Sequence, residues 1–504
     1  MSPRPTLKGS VESMKILRLL CLSILVDVNH YGVLSFGIST VHTTAIKSNI
    51  RIHPPIVHSS VHKKYRSRQL STAHEDDETE PKTVIAKDSN LQILNAAFLV
   101  AGTTIGGGFL ALPSVVAPSG FYPSAVALIG VWGYFLTQSF VLVECINRTK
   151  YESNDSNPPG VAGAAKSVFG KKGEIAIGIL LVILIEATLV SQISRAGMLF
   201  PNYRLGCVVS AVSIATLVFG PKSGIIFASK ANAALTSLFL LSTLSVFGCG
   251  VGIADWSKLG MSNNWASVPA ALPSFLQLLV YGEIVPTVCQ ILKYNTRRIK
   301  MAIILGSFMT LCLQIGWSGL GLSLVSSASD AVEVLLASSG PVRLPLFSLA
   351  ITAILTTILG SYLALLSTVN DFVQKSRKKD INHDDGEVSD SSMQKSQGDN
   401  SPWHRMKVAS IITVPASLIA CSSPSVFLKA IDFAGSYPVL MLWGVAPPLM
   451  ALIQRSRDDK GTSNFRRTAG PSVWLVVLAL LAIGMIGFSA IGDMASFVNK
   501  FKIL

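Results

Sequence analysis

Charge is scarce in this chain of 504 residues: Asp, Glu, Lys and Arg together make up 14% of it, against roughly 25% in an average soluble domain. The charges present are bunched into short clusters with long, nearly uncharged runs between them. That pattern excludes an ordinary soluble domain, a nucleic-acid-binding protein and a disordered chain. Histidine is missing from every long apolar run, because six of the eight lie within the first 74 residues. Seven cysteines are scattered singly, with no CxxC and no Cys/His spacing of the metal-binding kind. Free thiols are expected, with no disulfide framework, no metal site and no cofactor. HExxH and GxSxG elements are also missing, which removes the common metalloprotease and serine-hydrolase mechanisms.

What is there instead is apolar sequence in long stretches, with a mean hydropathy of +0.50. From Leu91 on, eleven apolar runs recur, each long enough for a hydrocarbon core of about 30 Å. They cover about 91–116, 121–146, 174–200, 204–220, 229–254, 269–291, 299–325, 343–373, 407–422, 427–454 and 472–492. The ninth is short and contains Pro415. With no water to satisfy free backbone groups, such runs must be helices. If the first runs from inside to outside, the inside loops hold 23 lysines and arginines and the outside loops six. That asymmetry places the N-terminus inside and the C-terminus outside. It also gives the net charge of +14 a source other than a polyanionic partner. The membrane region spans 89–496, interrupted by a hydrophilic loop at 375–403 that is expected to be flexible.

Residues 1–88 form a separate tail. Up to His74 it carries ten basic residues and two acids, Glu12 and Asp27. Lys15 and Arg18 flank a short apolar run, Ile16 to Val26, too short to span a bilayer. Charged start and short apolar core read as a signal peptide, with a cleavage site near Ser35 and Phe36 following it. The stretch to Leu70 is rich in Ser, Thr, His and basic residues and lacks acids, the composition of a transit peptide. Signal followed by transit composition resembles the bipartite presequence of algae with secondary plastids, so a plastid envelope is the expected destination. The alternative is a disordered cytoplasmic tail with an incidental apolar patch.

Two of the apolar runs are poor helix material. The first contains Ala101-Gly102-Thr103-Thr104-Ile105-Gly106-Gly107-Gly108 and then Leu110-Ala111-Leu112-Pro113. Each glycine costs about 1 kcal/mol against Ala in a helix interior, although small residues also let helices pack closely. The sixth reads Leu279-Val280-Tyr281-Gly282-Glu283-Ile284-Val285-Pro286. Two Gly/Pro-interrupted spans five apart point to a transporter built from two inverted five-helix repeats. Free N–H groups at such a break bind an anionic group, helped by the positive end of the half-helix dipole. Gly102, Thr103, Thr104, Gly106, Gly107, Gly108, Tyr281 and Gly282 are therefore the candidate substrate-binding residues.

The first-run motif, from Asn95-Ala96-Ala97 to Ala111-Leu112-Pro113, resembles the first-span signature of the tryptophan/tyrosine permease family. That family of aromatic amino acid transporters belongs to the amino acid–polyamine–organocation superfamily. Looser matches are Ser191 to Gly197, Tyr281 to Pro286, Arg297 to Ser307 and Phe427 to Gly435. The resemblance covers about 91–490. It implies an all-α membrane protein of eleven transmembrane helices: a leucine-transporter-like 5+5 inverted repeat, spans one to five and six to ten, plus one extra helix. It further implies an amino acid substrate, most readily an aromatic one, coupled to protons or to sodium, with protons favoured. Gly282-Glu283 departs from the aromatic-Gly or Phe-His sequence of bacterial members, at a place that would line the side-chain pocket.

Ionisable groups in mid-span are functional candidates by default. Glu186 and Arg195 in span three are nine residues apart, about 900° of helix and about 13 Å of rise, so they cannot pair with each other. Arg195 reads as a structural clamp; Glu186 reads equally as structure or as a proton site. Glu283, in the presumed break, is the favoured coupling carboxylate. Thr356 and Thr357 fall where sodium-coupled relatives of the fold place two hydroxyl ligands, or they bond their own helix. Glu144, Asp371 and Asp432, near span ends, read as interfacial. The competing classes are a channel or receptor, a transporter of another amino acid class, and a membrane enzyme. No filter-like loop or ring of charges favours the channel. The expected partners are an amino acid substrate and the lipid bilayer, with no nucleic acid.

Overall fold

In the computed structural model, the residues described are 81–152, 160–219, 225–260, 263–325, 331–337, 340–361, 410, 413–458 and 470–503. The N-terminal tail up to residue 80, the 375–403 loop and Asp371 lie outside them. The described residues are almost entirely helical, with no strand among them. Eight helical stretches among them are long and apolar enough to cross a membrane, nine if a bent pair counts as one span. Of the eleven expected spans, the fourth is a helix of 17 residues, Tyr203–Phe219, and the ninth is described only at 410 and 413–422.

The bent pair is span one. Its helix Pro81–Thr104 stops before Ile105, and the chain restarts as a tight 3-10 turn, Gly107–Ala111, and a helical turn, Leu112–Val116. The two parts meet at 54°. Span six is interrupted in the same manner. Val268–Leu279 ends at Val280, whose backbone is extended; a 3-10 turn, Gly282–Ile284, and the helix Val285–Ile291 follow. Pro286 sits in the first turn of that second half, where its missing N–H costs nothing. Asn295 then starts span seven, Thr296–Leu324, by accepting a hydrogen bond from the Arg298 N–H at 3.2 Å.

Two further spans depart from straight helices. Span three, Val161–Met198, kinks at Gly170, whose φ of 70° combined with ψ of −163° is essentially confined to glycine. Span ten runs as Val426–Ala434, a π-helical stretch Gly435–Val445 around Pro438, and Ala446–Asp458. Close approaches fix the neighbours: a side chain at Gly306 would strike the Ala97 carbonyl, and one at Gly435 the Pro273 carbonyl. Spans one and seven, and spans six and ten, therefore meet backbone to backbone. Outward-facing Val126, Ile129, Ile179, Leu241, Leu244 and Leu480 are exposed, which suits lipid rather than water.

Buried polar groups cluster at the basic-loop end. Glu144 is not interfacial: it is 1% exposed and gripped by Arg455 through two hydrogen bonds of 2.7 and 2.8 Å. Arg455 also donates to the Gly470 carbonyl, and Arg457 to the carbonyls of Ser167 and Val168. Spans two, three, ten and eleven are tied there. Asp432 is half-buried and accepts from Ser274 of span six at 2.5 Å.

Candidate functional site

The glycines of span one release backbone donors in the middle of the bundle. Gly106 has φ −131° and ψ −169°, extended backbone that any residue adopts, so glycine is needed there for space and not for an unusual dihedral. A Cβ on Gly106 would come within 2.6 Å of Thr357 Oγ1, one on Gly107 would overlap the Gln192 amide oxygen, and one on Gly108 would meet Leu278. Gly107 donates its N–H to Thr357 Oγ1 at 2.8 Å. The N–H groups of Gly106 and Gly108 have no partner among the described residues. They are the unsatisfied donors that any restarting helix leaves.

The break in span six lies opposite. Leu278, at the end of its first half, has its carbonyl held by Gln314 of span seven at 2.6 Å. Beyond the break, the Glu283 side chain is exposed to a cavity of about 730 Å³ between spans one, three, five, six, eight and ten. No described side chain pairs with Glu283. Gly102, Thr103, Thr104, Gly106, Gly108, Glu283, Thr356 and Thr357 line this one cavity. Eight of the positions singled out in the sequence, from three separate spans, are thereby brought together.

The others are elsewhere. Gly107 lies behind the lining, between Gln192 and Thr357. Tyr281 and Gly282 face a separate small recess shared with Gln138, Ser139 and Trp443, and a side chain on Gly282 would run into the Trp443 indole. Glu186 is half-buried and outside the cavity wall, although its neighbours Ile185 and Thr188 are part of it. Arg195 is 2% exposed at the far end of span three, its guanidinium 5.1 Å from the centre of the Phe427 ring.

The two threonines of span eight, Arg343–Ser361, differ. Thr356 donates to the carbonyls of Thr352 and Ala353 within its own helix. Thr357 donates to Ala353 and accepts from Gly107, so its hydroxyl crosses between spans.

Several lining residues carry no charge and were not among the site candidates: Thr188, Ser191, Gln192, Gln277 and Gln290. The Ser191 hydroxyl donates to the Thr188 carbonyl and accepts from Gln192 Nε2. That leaves the Gln192 amide oxygen turned toward the span-one break, without a hydrogen-bond partner. The glutamine inside the Ser191 to Gly197 motif was the available signal.

The cavity is asymmetric along the membrane normal. Its wall includes Gly160, the N-cap of Val161–Met198, and Gln290, in the last turn of Val285–Ile291, both at basic-loop ends of their helices. At the opposite end, Phe109 stacks on Trp317 with ring centres 5.6 Å apart, and Ala111, Phe427 and Ile431 close together.

The sequence profile of the tryptophan/tyrosine permease family matches residues 89–488. The chain belongs to this family. Its members are permeases, membrane transporters and not enzymes. Among similar proteins is the tyrosine-specific transport system 1 of Haemophilus influenzae, 23% identical over 410 residues, 77% of this chain and 94% of that one. The tryptophan-specific transport protein of Pseudomonas aeruginosa is 22% identical over 418 residues, 77% of this chain and 92% of its own length. Glutamine transporter 2 of Aliivibrio fischeri is 21% identical over 316 residues, 57% of this chain and 77% of its own. For this permease the match takes in both interrupted spans and leaves out the N-terminal tail.

Proposed function

We propose that the protein is a secondary active transporter that moves an amino acid, most readily an aromatic one, together with a proton. The observation that carries this reading is the pair of unpartnered N–H groups at Gly106 and Gly108, opening on the same cavity as Glu283. Backbone donors at a half-helix N-terminus suit a substrate carboxylate. A carboxylate side chain in a cavity whose described wall has no Lys, Arg or His suits an ammonium group or a proton. An amino acid offers both complements at once. The breaks in spans one and six correspond to each other in two inverted five-span repeats, and the wall reaching Gly160 and Gln290 fits a state open toward the basic-loop side.

Protons suit the site better than sodium. Sodium needs several oxygen lone pairs directed at it, and Thr357 Oγ1, which accepts the Gly107 N–H, has only one left to offer. The relatives named for tyrosine and tryptophan transport favour an aromatic substrate. A second reading rests on the cavity wall, which contains Gln192, Gln277 and Gln290 and, among the described residues, no aromatic side chain. That composition suits a polar, donor-rich substrate such as glutamine, for which one relative is named. The tail composition supports delivery to a plastid envelope.

Proteoliposomes loaded with buffer and given a proton or a sodium gradient decide between these readings. Accumulation of labelled tyrosine or tryptophan under a proton gradient alone is the expected result. Uptake of glutamine with exclusion of both aromatics establishes the second reading. Equal fluxes of unrelated solutes with no saturation mean a channel, and the transporter reading fails.

A further inference from the structure

Away from the cavity, at the end of the bundle opposite the basic loops, three segments converge: the end of span three, the start of Tyr203–Phe219, and the turn before Val426. Tyr203 is their common point. Its phenol oxygen lies 2.8 Å from Ser194 Oγ, 2.5 Å from the Ala420 carbonyl and 2.8 Å from the Ser423 carbonyl. One turn further along the same helix, Cys207 is fully buried, its sulfur against Gly197, where a Cβ could not fit beside it. Cys421, partly exposed, reaches over from the turn and donates its thiol to the Arg204 carbonyl at 3.8 Å. Arg204 and Cys207 are three residues apart and share a helix face. The turn that carries Cys421 thus packs on the helical turn that carries Cys207, with Tyr203 bonded to the carbonyls of Ala420 and Ser423 on either side of it. Both thiols are free. Of the other described cysteines, Cys145 and Cys289 are buried, and Cys249 and Cys312 are exposed.

We propose that Cys207 and Cys421 form a thiol pair that closes to an intrachain disulfide on reaction with a small-molecule disulfide of the glutathione class. The chemistry is stepwise and balanced. The more accessible Cys421 attacks first as thiolate, breaking the S–S bond of the oxidant, forming a mixed disulfide and releasing one small thiolate, which takes up the Cys421 proton. Cys207 then attacks the Cys421 sulfur, forming the protein S–S bond and displacing the second small thiol, which carries away the Cys207 proton. Two protein thiols are oxidised, and one small disulfide is reduced to two thiols. Burial keeps Cys207 from external oxidants and leaves it placed to resolve the mixed species, the arrangement of a responsive cysteine and its resolving partner. The new bond fastens the turn that leads into Phe427, and hence the ring beneath Arg195, to the first turn of Tyr203–Phe219.

The test uses the full chain with a site-specific protease sequence inserted between residues 380 and 400, so that cutting separates Cys207 from Cys421. The purified protein in detergent is treated with oxidised glutathione, cut, and run without reductant. The halves are expected to stay joined, at least about tenfold more than in Cys421→Ser, and to part on adding dithiothreitol. A linked Cys207–Cys421 peptide by mass spectrometry is expected from the same sample. Cys421→Ser, at the exposed partner, is expected to keep the uptake of the unsubstituted protein, which shows that it folds. Halves that separate, a glutathione adduct on Cys421 that persists, or joined halves in Cys421→Ser would each overturn the proposal.

Discussion

The hydrogen bond from Gly107 to Thr357 can be removed almost without changing shape. Thr357→Val exchanges a hydroxyl for a methyl of similar size, so the helix and the cavity wall keep their form. What is lost is the acceptor 2.8 Å from the Gly107 N–H, leaving a donor of the span-one break unsatisfied. An unsatisfied buried donor costs about 1–3 kcal/mol. If that cost falls on the conformation that presents Gly106 and Gly108 to the substrate, affinity weakens by about 5- to 140-fold, at 1.4 kcal/mol per decade. Scintillation proximity binding on purified protein, with the amino acid accepted in the flux assay, measures this directly. Thr357→Ser keeps a hydroxyl able to accept from Gly107 and is expected to bind nearly as well as the unsubstituted protein. Thr356→Val removes only bonds within its own helix and is expected to cost less. Unchanged affinity in Thr357→Val, or a loss in Thr357→Ser as large as that in Thr357→Val, refutes the reasoning.

Four other outcomes are expected. Glu283→Gln should abolish proton-driven uphill uptake while preserving counterflow exchange, which needs no net proton movement; equal loss of both marks a structural or substrate-binding role. Gly106→Val should eliminate binding with normal membrane expression, and amino acid amides should compete poorly with the parent acids; amides that compete equally remove the helix-end carboxylate site. Glu144→Ala leaves Arg455 buried without its carboxylate and should cost about 3–5 kcal/mol of stability, read as a lower thermal midpoint in detergent. A fluorescent fusion of residues 1–90 should reach the plastid in an algal host, and retention in the endoplasmic reticulum counts against that targeting.

How much could be read from the chain alone depended on whether the signal was local. The spans and the two breaks were legible because apolar length and glycine or proline interruption are properties of adjacent residues. The glycines of span one were readable as a break, but not the reason each is small: that reason is Thr357, Gln192 and Leu278, which come from other spans. Tyr281 and Gly282 looked like lining residues because they flank Glu283 in sequence. A residue leaving a helix end turns its neighbours in different directions, and these two face Trp443 instead. Glu144 could not be distinguished from an interfacial acid until its partner was known. The neutral glutamines of the wall carry no cost in sequence that marks them, and only their convergence in space does.

The Glu144–Arg455 pair has a consequence for how the protein is made. Its two members are 311 residues apart, so at roughly 5–20 residues per second Arg455 leaves the ribosome about 15–60 s after Glu144. Span two must wait that long with an unmatched carboxylate near its basic-loop end, either hydrated or protonated, because an unpaired buried charge is costly. Its final seating is therefore a late event of biogenesis, completed only when span ten arrives. A ribosome stalled before Arg455, or a chain truncated there, leaves span two inserted but unlatched, the kind of half-built intermediate that membrane quality control can recognise.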